Sequence, residues 1–461
     1  MSGKRQKIQL FLAFAAEEPG ASPEAADEGT EPRVAKQTPE RPTETDALME
    51  EVCQRDNLWK ALQRVQANQG APGVDGMTVR QLPKHLKRHW LKIREQLLAG
   101  TYRPQPVKRV EIPKPEGGVR KLGIPTALDR FIQQAVLQVL QARWDRTFSE
   151  HSYGFRPGRS AHQAVAQAQA YIAEGCGVVV DLDLEKFFDR VNHDLLMGRV
   201  AKRVEDKRLL KLIRAFLNAG VMENGLVSSS EEGTPQGGPL SPLLSNLLLD
   251  DLDRELERRG LRFVRYADDC NIYVRSRRAG ERVMRSVTQF LTGKLKLTVN
   301  ESKSAVARPA ERKFLGFSFT AGKQPKRRIA PQSLLRFKKR IRELTKRNRG
   351  VSLERMVEQL ARYLTGWRGY FGFCQTPSVL DGLDSWIRRR LRCLLWKQWK
   401  RGTTRFAELR ARGVGKDLAA QTAGSPRGLW HLSRSPALSI ALPGAYFASL
   451  GLPQLNAPVP V

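Results

Sequence analysis

The chain has 461 residues, in which 79 Lys and Arg stand against 47 Asp and Glu, giving a formal net charge of +32 and a pI near 10.4. Such an excess calls for a polyanionic partner, nucleic acid first and an anionic membrane surface as the alternative, and the length allows two or three domains with a real core. No apolar run approaches the roughly 20 residues of a membrane span, and the five scattered cysteines, without a CxxC pair, indicate neither a zinc site nor a disulfide framework, which fits a reducing, cytosolic setting.

In chain order, residues 8–16 are apolar but too short for a signal peptide or anchor. Residues 17–47, rich in Glu, Pro, Thr and Ala, read as a disordered acidic leader, either a loose tail or a weak mask of the basic remainder. Helical spacing runs over 47–68, a Gly/Pro loop over 69–78 and a second helix over 79–99. His85 and His89 share a face of that helix among Lys and Arg, a solvated basic face rather than a metal site. Residues 104–113 alternate as an edge strand, 114–118 turn and 119–125 return. Lys114 and Arg120 flank this hairpin, either to grip a triphosphate or as a solvated face. A long helix follows over 128–144.

The loop Tyr153-Gly154-Phe155-Arg156-Pro157-Gly158-Arg159-Ser160 mixes cations and aromatics, which suits a phosphate backbone beside a stacked base. Residues 178–184 form a β-branched strand with Asp181 and Asp183 on one face, an expensive placement unless they are functional or paired. Residues 185–189 turn out of it, and Asn192 is a candidate N-cap for the helices beyond. The Gly/Pro loop 233–242 opens a helix over 243–258, its amides free to face an anion or merely connecting. Residues 263–274 read as a β-hairpin whose turn carries Asp268 and Asp269. Adjacent carboxylates raise each other's pKa unless a cation intervenes, and a divalent metal, Mg²⁺ by its hard oxygen ligands, resolves the repulsion; the alternative is a solvated turn. A helix over 282–295 and a short strand over 314–319 follow.

Beyond Gly322 the composition turns strongly basic, which places a domain boundary there. Residues 323–349 carry the helical stripe Leu334, Leu335, Phe337, Ile341 and Leu344. The helix over 384–401 has an apolar face (Ile387, Leu391, Leu394, Leu395) and carries Arg388, Arg389, Arg392, Lys397 and Lys400, with Trp396 and Trp399 interleaved, a pattern suited to nucleic-acid phosphates. Residues 424–461 are punctuated by Pro and Gly and end in what looks like a loose tail.

Asp183 on a strand and Asp268 and Asp269 on a hairpin can come within metal-bridging reach, as phosphoryl transfer by two metals requires. Tyr266-Ala267-Asp268-Asp269 resembles the YxDD signature of reverse transcriptases. Asp183-Leu184-Glu185-Lys186-Phe187-Phe188-Asp189 resembles the family's first catalytic motif, Pro235-Gln236-Gly237 its nucleotide-pocket loop and Phe314-Leu315-Gly316-Phe317 its primer-side strand. Residues 70–78, 153–160, 364–370 and 386–399 are similar to the pre-finger, finger and maturase motifs of reverse transcriptase–maturases encoded by group II introns, a resemblance over roughly residues 50–455.

The resemblance implies an α+β right-hand polymerase fold. Fingers and palm, an antiparallel sheet packed on helices, span 48–322, a helical thumb or maturase domain 323–412, and a basic extension 413–461. It implies RNA-directed DNA synthesis and assistance to intron splicing. Asp183 and Asp268 bind two Mg²⁺ ions (or Mn²⁺), with Asp269 assisting and the Leu184 carbonyl as a further ligand. The five-residue step from Asp183 to Phe188, where the family places the aromatic that excludes a ribose 2′-hydroxyl, selects Asp183 over Asp181 as the ligand. Gln236, Lys114, Arg120 and Lys303 contact the incoming nucleotide, while Arg156, Arg159, Arg388, Arg389, Arg392, Lys397 and Lys400 hold RNA. The implied partners are group II intron RNA, a DNA target and primer, and deoxynucleoside triphosphates, with no membrane, in a bacterial ribonucleoprotein near the nucleoid. Many members end in a zinc-supported endonuclease domain; without its cysteine pairs, second-strand cleavage is not expected, and priming from a nascent strand at a replication fork is. Competing readings are a domesticated, CRISPR- or repair-associated reverse transcriptase, and a splicing factor with a dead polymerase site, against which the intact Asp183, Asp268 and Asp269 stand.

Overall fold

The computed structural model describes residues 47–113, 118–223, 226–228, 232–234 and 237–457. The acidic leader up to residue 46, Lys114, Pro235 and Gln236 lie outside these residues. The chain forms two compact units, the first of residues up to 164 with 180–306, the second of 165–179 with the residues from 307 onward.

In the first unit the sequence's single helix over 47–68 is two, Leu48–Val52 and Arg55–Ala67, because the chain breaks at Cys53 and Gln54. The helix Leu82–Leu98 buries Leu82, Leu86, Trp90, Ile93 and Leu97, the 3.6-residue stripe its sequence carries. The helix Ala127–Trp144 is buried around most of its circumference, including Gln133 and Gln134, and Thr126 caps it by accepting from the Asp129 amide. One sheet has the order β2-β1-β4-β5, built of β1 (Val107–Pro113), β2 (Val119–Ile124), β4 (Val221–Glu223) and β5 (Leu226–Ser228). β1 and β2 are the antiparallel hairpin the alternation predicts, with Lys108 opposite Ile124 and Ile112 opposite Arg120.

A second sheet has the order β6-β7-β3-β8, built of β3 (Val178–Leu182), β6 (Arg262–Tyr266), β7 (Asp269–Val274) and β8 (Ala305–Ala307). β6 and β7 pair antiparallel, from Arg262 opposite Tyr273 to Tyr266 opposite Asp269. β7 is the neighbour of β3, so the hairpin and the strand leading to Asp183 share one sheet. The Ser241–Arg258 helix buries Leu243, Leu244, Leu247, Leu248 and Leu252.

The second unit begins earlier than residue 322. β9 (Phe317–Phe319) pairs with β10 (Arg327–Ile329), and Phe317 packs against the rings of Tyr370, Phe371 and Phe373. That aromatic cluster draws the β9–β10 hairpin to the helices after it. The strand expected over 314–319 starts only at Phe317. Leu315 and Gly316 both have positive φ, and Phe314 and Phe317 exchange backbone hydrogen bonds, so 314–317 is a tight turn. Residues 165–179 join this unit, where Gln169 donates to the Pro325 carbonyl (2.6 Å) and accepts from Arg327 (2.5 Å).

Helices Pro331–Leu344, Leu353–Phe371 and Pro377–Gln398 enclose a core of Phe337, Ile341, Leu360, Leu364, Ile387, Leu391 and Trp396. Up to residue 457 the C-terminal stretch is folded rather than loose. It folds into Leu429–Leu432, Pro436–Ala441 and Gly444–Ser449, burying Leu438, Leu442, Phe447 and Leu455 in the same core. The buried Asp384 carboxylate accepts the Leu455 amide (2.9 Å) and pins that segment. Among the described residues, no helix is long and apolar enough to cross a membrane.

Candidate active site

Asp183 stands just past the end of β3. Its amide donates to Ser304 Oγ (3.0 Å) and its carbonyl accepts from the Asn300 amide (2.8 Å). Leu184 then bridges antiparallel to Val299. Asp183 is therefore fixed through its backbone while its side chain stays partly exposed. Asp181, two residues earlier, accepts from the buried Asn271 amide nitrogen at 2.9 Å in the amide orientation that satisfies both neighbours. This pairing accounts for one of the two strand carboxylates.

Asp268 occupies the two-residue turn between β6 and β7. Burial pushes its carboxyl up, its own backbone N–H draws it down, the Asp183 carboxylate raises it further, and the Arg120 and Arg265 charges lower it. Asp268 thus lies within the electrostatic reach of both Asp183 and Arg120. Asp269 opens β7 and is exposed. Among the described residues no group of three or more His, Cys, Asp or Glu stands ready to hold a metal. Of the three carboxylates expected at the metal, Asp183 acts on Asp268 through its charge. A mutually repelling, partly buried carboxylate pair fits a divalent cation whose other ligands are substrate or solvent oxygens.

The turn is held from behind. Arg265 is fully buried, and its Nε and Nη2 donate to Asp253 Oδ1 (2.7 Å) and Oδ2 (2.5 Å). Its Nη1 donates to Asn246 Oδ1 and to the Ala267 carbonyl, both at 2.9 Å. The Asp253 carboxylate keeps the guanidinium charged against the cost of burial. Asn246 in turn donates to the Gly154 carbonyl (2.9 Å). Sequence reasoning missed Arg265, Asp253, Asn246 and Gly154. The available signal was an arginine inside an otherwise apolar strand.

Phe187 is buried and Phe188 half-buried, their rings edge-to-face at 5.2 Å. The Phe188 carbonyl accepts from the Thr234 amide (2.6 Å), and Gly233 donates to the Val191 carbonyl (2.8 Å). Gly233 has φ +90, and a Cβ there would lie 2.9 Å from the Phe188 carbonyl oxygen, so only glycine lets the loop approach this closely. His193 Nε2 lies 2.6 Å from the Gly233 carbonyl and completes the attachment. Lys303 Nζ is 3.9 Å from Asp183 Oδ1, a solvent-facing pair. Arg120 is exposed on β2, whereas its expected companion Lys114 and the pocket residue Gln236 fall outside the described residues.

Several cations expected at nucleic acid are used internally. Arg156 is buried and bonds to Asp145 Oδ1 (2.9 Å) and to the carbonyls of Ser149 (2.5 Å), Ser152 (3.0 Å) and Asp145 (2.7 Å). It closes its own loop and has no donor left for a phosphate. Arg159 lies over the Tyr153 ring at 5.5 Å. In the second unit, Arg389 stacks 3.9 Å over Trp430 and donates to its carbonyl. Arg392 donates to the Leu442 carbonyl (2.9 Å), and Arg388 to Ser385 (3.1 Å). Trp396 and Trp399 are buried, with Arg405 and Arg412 over their rings, and do not interleave with exposed cations. The amphipathic helix docks its Arg side onto the folded C-terminal helices, which the loose-tail expectation left out. Lys397 and Lys400 remain exposed.

Residues 112–319 match the family model described as reverse transcriptase (RNA-dependent DNA polymerase), and residues 334–413 match the group II intron maturase-specific domain. Protein YkfC of Escherichia coli is 34% identical over 300 residues, covering 56% of this chain and 78% of YkfC. The group II intron-encoded protein LtrA of Lactococcus lactis is 36% identical over 211 residues, covering 46% of this chain and 35% of LtrA. The matched segment therefore spans about a third of LtrA's length.

Proposed function

The chain belongs to the group II intron type of the reverse transcriptase family, an RNA-directed DNA polymerase joined to a maturase domain, and from that membership we propose that it copies intron RNA into DNA at a DNA target and assists the intron's splicing. The observation that carries the polymerase half is the meeting of Asp183 and Asp268 at one end of one sheet, in mutual electrostatic reach and beside Arg120.

In this reading Asp183 and Asp268 hold divalent metal ions, two Mg²⁺, with Asp269 and the Leu184 carbonyl assisting. Such ions neutralise the charge that develops as a 3′-hydroxyl displaces pyrophosphate. Arg120, with Lys114, binds the triphosphate, and an Arg fork suits phosphate oxygens. Gln236 lines the pocket. Lys303 beside Asp183 keeps positive charge at the rim where phosphates arrive. Phe188, half-buried on a segment tied to Gly233 and Thr234, meets the sugar. Arg159, Lys397 and Lys400 contact RNA through phosphates. Splicing remains the RNA's own reaction, with the protein holding the fold. The five free cysteines agree with a reducing bacterial cytoplasm, where the protein would act as a ribonucleoprotein on chromosomal DNA.

The test is primer extension by the full chain on an RNA template with Mg²⁺ and deoxynucleotides, beside Asp268→Asn. Synthesis by the wild type and none by the variant is expected, with RNA binding and assisted splicing unchanged. No synthesis from a folded, RNA-bound wild type would leave only the splicing role, and loss of splicing in Asp268→Asn would overturn the division between the two activities.

A further inference from the structure

The polymerase turn contains a residue in an unfavourable conformation. Ala267 has φ +58, a left-handed backbone that costs a non-glycine residue roughly 1 kcal/mol or more. Such a residue persists only where its surroundings over-determine it. Its amide side is closed by Gly154, whose backbone is held by Asn246. Its carbonyl is held by the Arg265 guanidinium. Arg265 is itself fixed at both ends. Its backbone pairs with the 151–153 segment, Arg265 N to the His151 carbonyl and Tyr153 N to the Arg265 carbonyl, both 2.9 Å. Its head group is locked to Asp253 on the Ser241–Arg258 helix, with both side chains 0% exposed.

We propose that Arg265 is the positioning residue of the polymerase centre: by holding the Ala267 carbonyl from inside the protein, it sets the direction in which Asp268 leaves the hairpin toward Asp183. Asp253 aims the guanidinium, and Asn246 links it to the loop that covers the turn. A buried ion pair is a poor source of net stability, because desolvation offsets the attraction. A purely structural site would be served as well by two apolar side chains. The fourth donor contact, to a backbone carbonyl one residue before Asp268, is what apolar side chains cannot supply.

The proposal rests on Asp268 being catalytic, and the experiment separates the two. Full-length wild type, Arg265→Met with Asp253→Leu, Arg265→Lys and Asp268→Asn are compared for Tm, for RNA affinity, and for kcat and KM of deoxynucleotide incorporation on an RNA template. The double variant removes both charges together but leaves Asn246 Oδ1 and the Ala267 carbonyl without this donor, so a modest fall in Tm is expected, well short of unfolding. Its kcat should fall about a hundredfold, the scale of a misplacement near 1 Å, while template affinity holds. Arg265→Lys keeps a cation on Asp253 without the fork that reaches Ala267 as well, and is expected to lose kcat at retained Tm; it serves as the decisive variant if the double variant does not fold. Unchanged kcat in either folded variant would overturn the proposal. Continued synthesis by Asp268→Asn would instead overturn the assignment of the catalytic carboxylate.

Discussion

Gly154 lies against the backbone of Ala267: a Cβ at 154 would stand 2.3 Å from the Ala267 nitrogen and 2.9 Å from the Tyr266 carbonyl carbon. Real side chains do not approach backbone this closely, so Gly154→Ala must move the turn or the loop. The expected result is a loss of DNA synthesis of about a hundredfold with RNA affinity retained, measured by single-nucleotide incorporation beside filter binding. Wild-type incorporation in a folded Gly154→Ala protein would show that the turn tolerates displacement.

Asp129 gives the first unit a specific pH dependence. It is 1% exposed, and its carboxylate accepts from Tyr102 (2.8 Å), Thr126 (2.6 Å) and the Gln105 amide (3.2 Å). Burial outweighs these bonds and pushes its pKa up to about 6. An acid whose folded pKa exceeds its unfolded value keeps more protons when folded, so its contribution favours the folded state at low pH and is lost as pH rises from about 4 to about 6. The penalty at neutral pH is about 3 kcal/mol. Asp129→Asn should flatten that limb of the stability curve, read from denaturant midpoints across pH 4 to 7. An unaltered slope in the variant would mean another group titrates there.

The sequence revealed the motifs better than their neighbours. The β6–β7 hairpin, the strand before Asp183, the Asn192 cap and the apolar helical stripes follow from periodicity and capping, which are local. What failed was non-local. Arg156 reads as a surface cation because nothing in residues 153–160 says that Asp145 and three carbonyls will enclose it. Trp396 and Trp399 sit among cations in sequence, but the helix turns them inward. The tail after residue 424 looks loose because its Leu and Phe residues come in short, punctuated pieces whose partner surface, the Pro377–Gln398 helix, is formed by distant residues. Arg265 reads as one charge in a strand until Asp253, Asn246 and Ala267 are seen around it.

Sugar selection should depend on the Gly233 contact as well as on Phe188. Phe188→Ala removes the ring proposed to meet the sugar. Gly233→Ala leaves the ring but places a Cβ 2.9 Å from the Phe188 carbonyl oxygen and 3.0 Å from that of Asp189. Both variants are expected to lower the preference for deoxynucleotides over ribonucleotides by about tenfold to a hundredfold, the range a shaped apolar contact supplies. The check is the ratio of kcat/KM for dCTP and CTP. Undiminished selection in Phe188→Ala would place the gate at another residue.

The cations of the Pro377–Gln398 helix and its end divide into two kinds, and one salt titration distinguishes them. Arg392 is half-buried and bonded to the Leu442 carbonyl and Ser439, so Arg392→Gln leaves acceptors unpaired inside the fold and should cost about 1–3 kcal/mol of stability. Lys397 and Lys400 are exposed, and neutralising both to Gln should leave Tm alone. Each phosphate contact adds a little under one unit to the slope of log K against log salt, so the double variant's slope should be shallower by about 1 to 2. Arg392→Gln, refolded and measured below its Tm, should keep the wild-type slope. The reverse pattern, a shallower slope for Arg392→Gln and none for the lysines, would mean that RNA reaches the face where the C-terminal helices dock, and that those helices leave it when RNA binds.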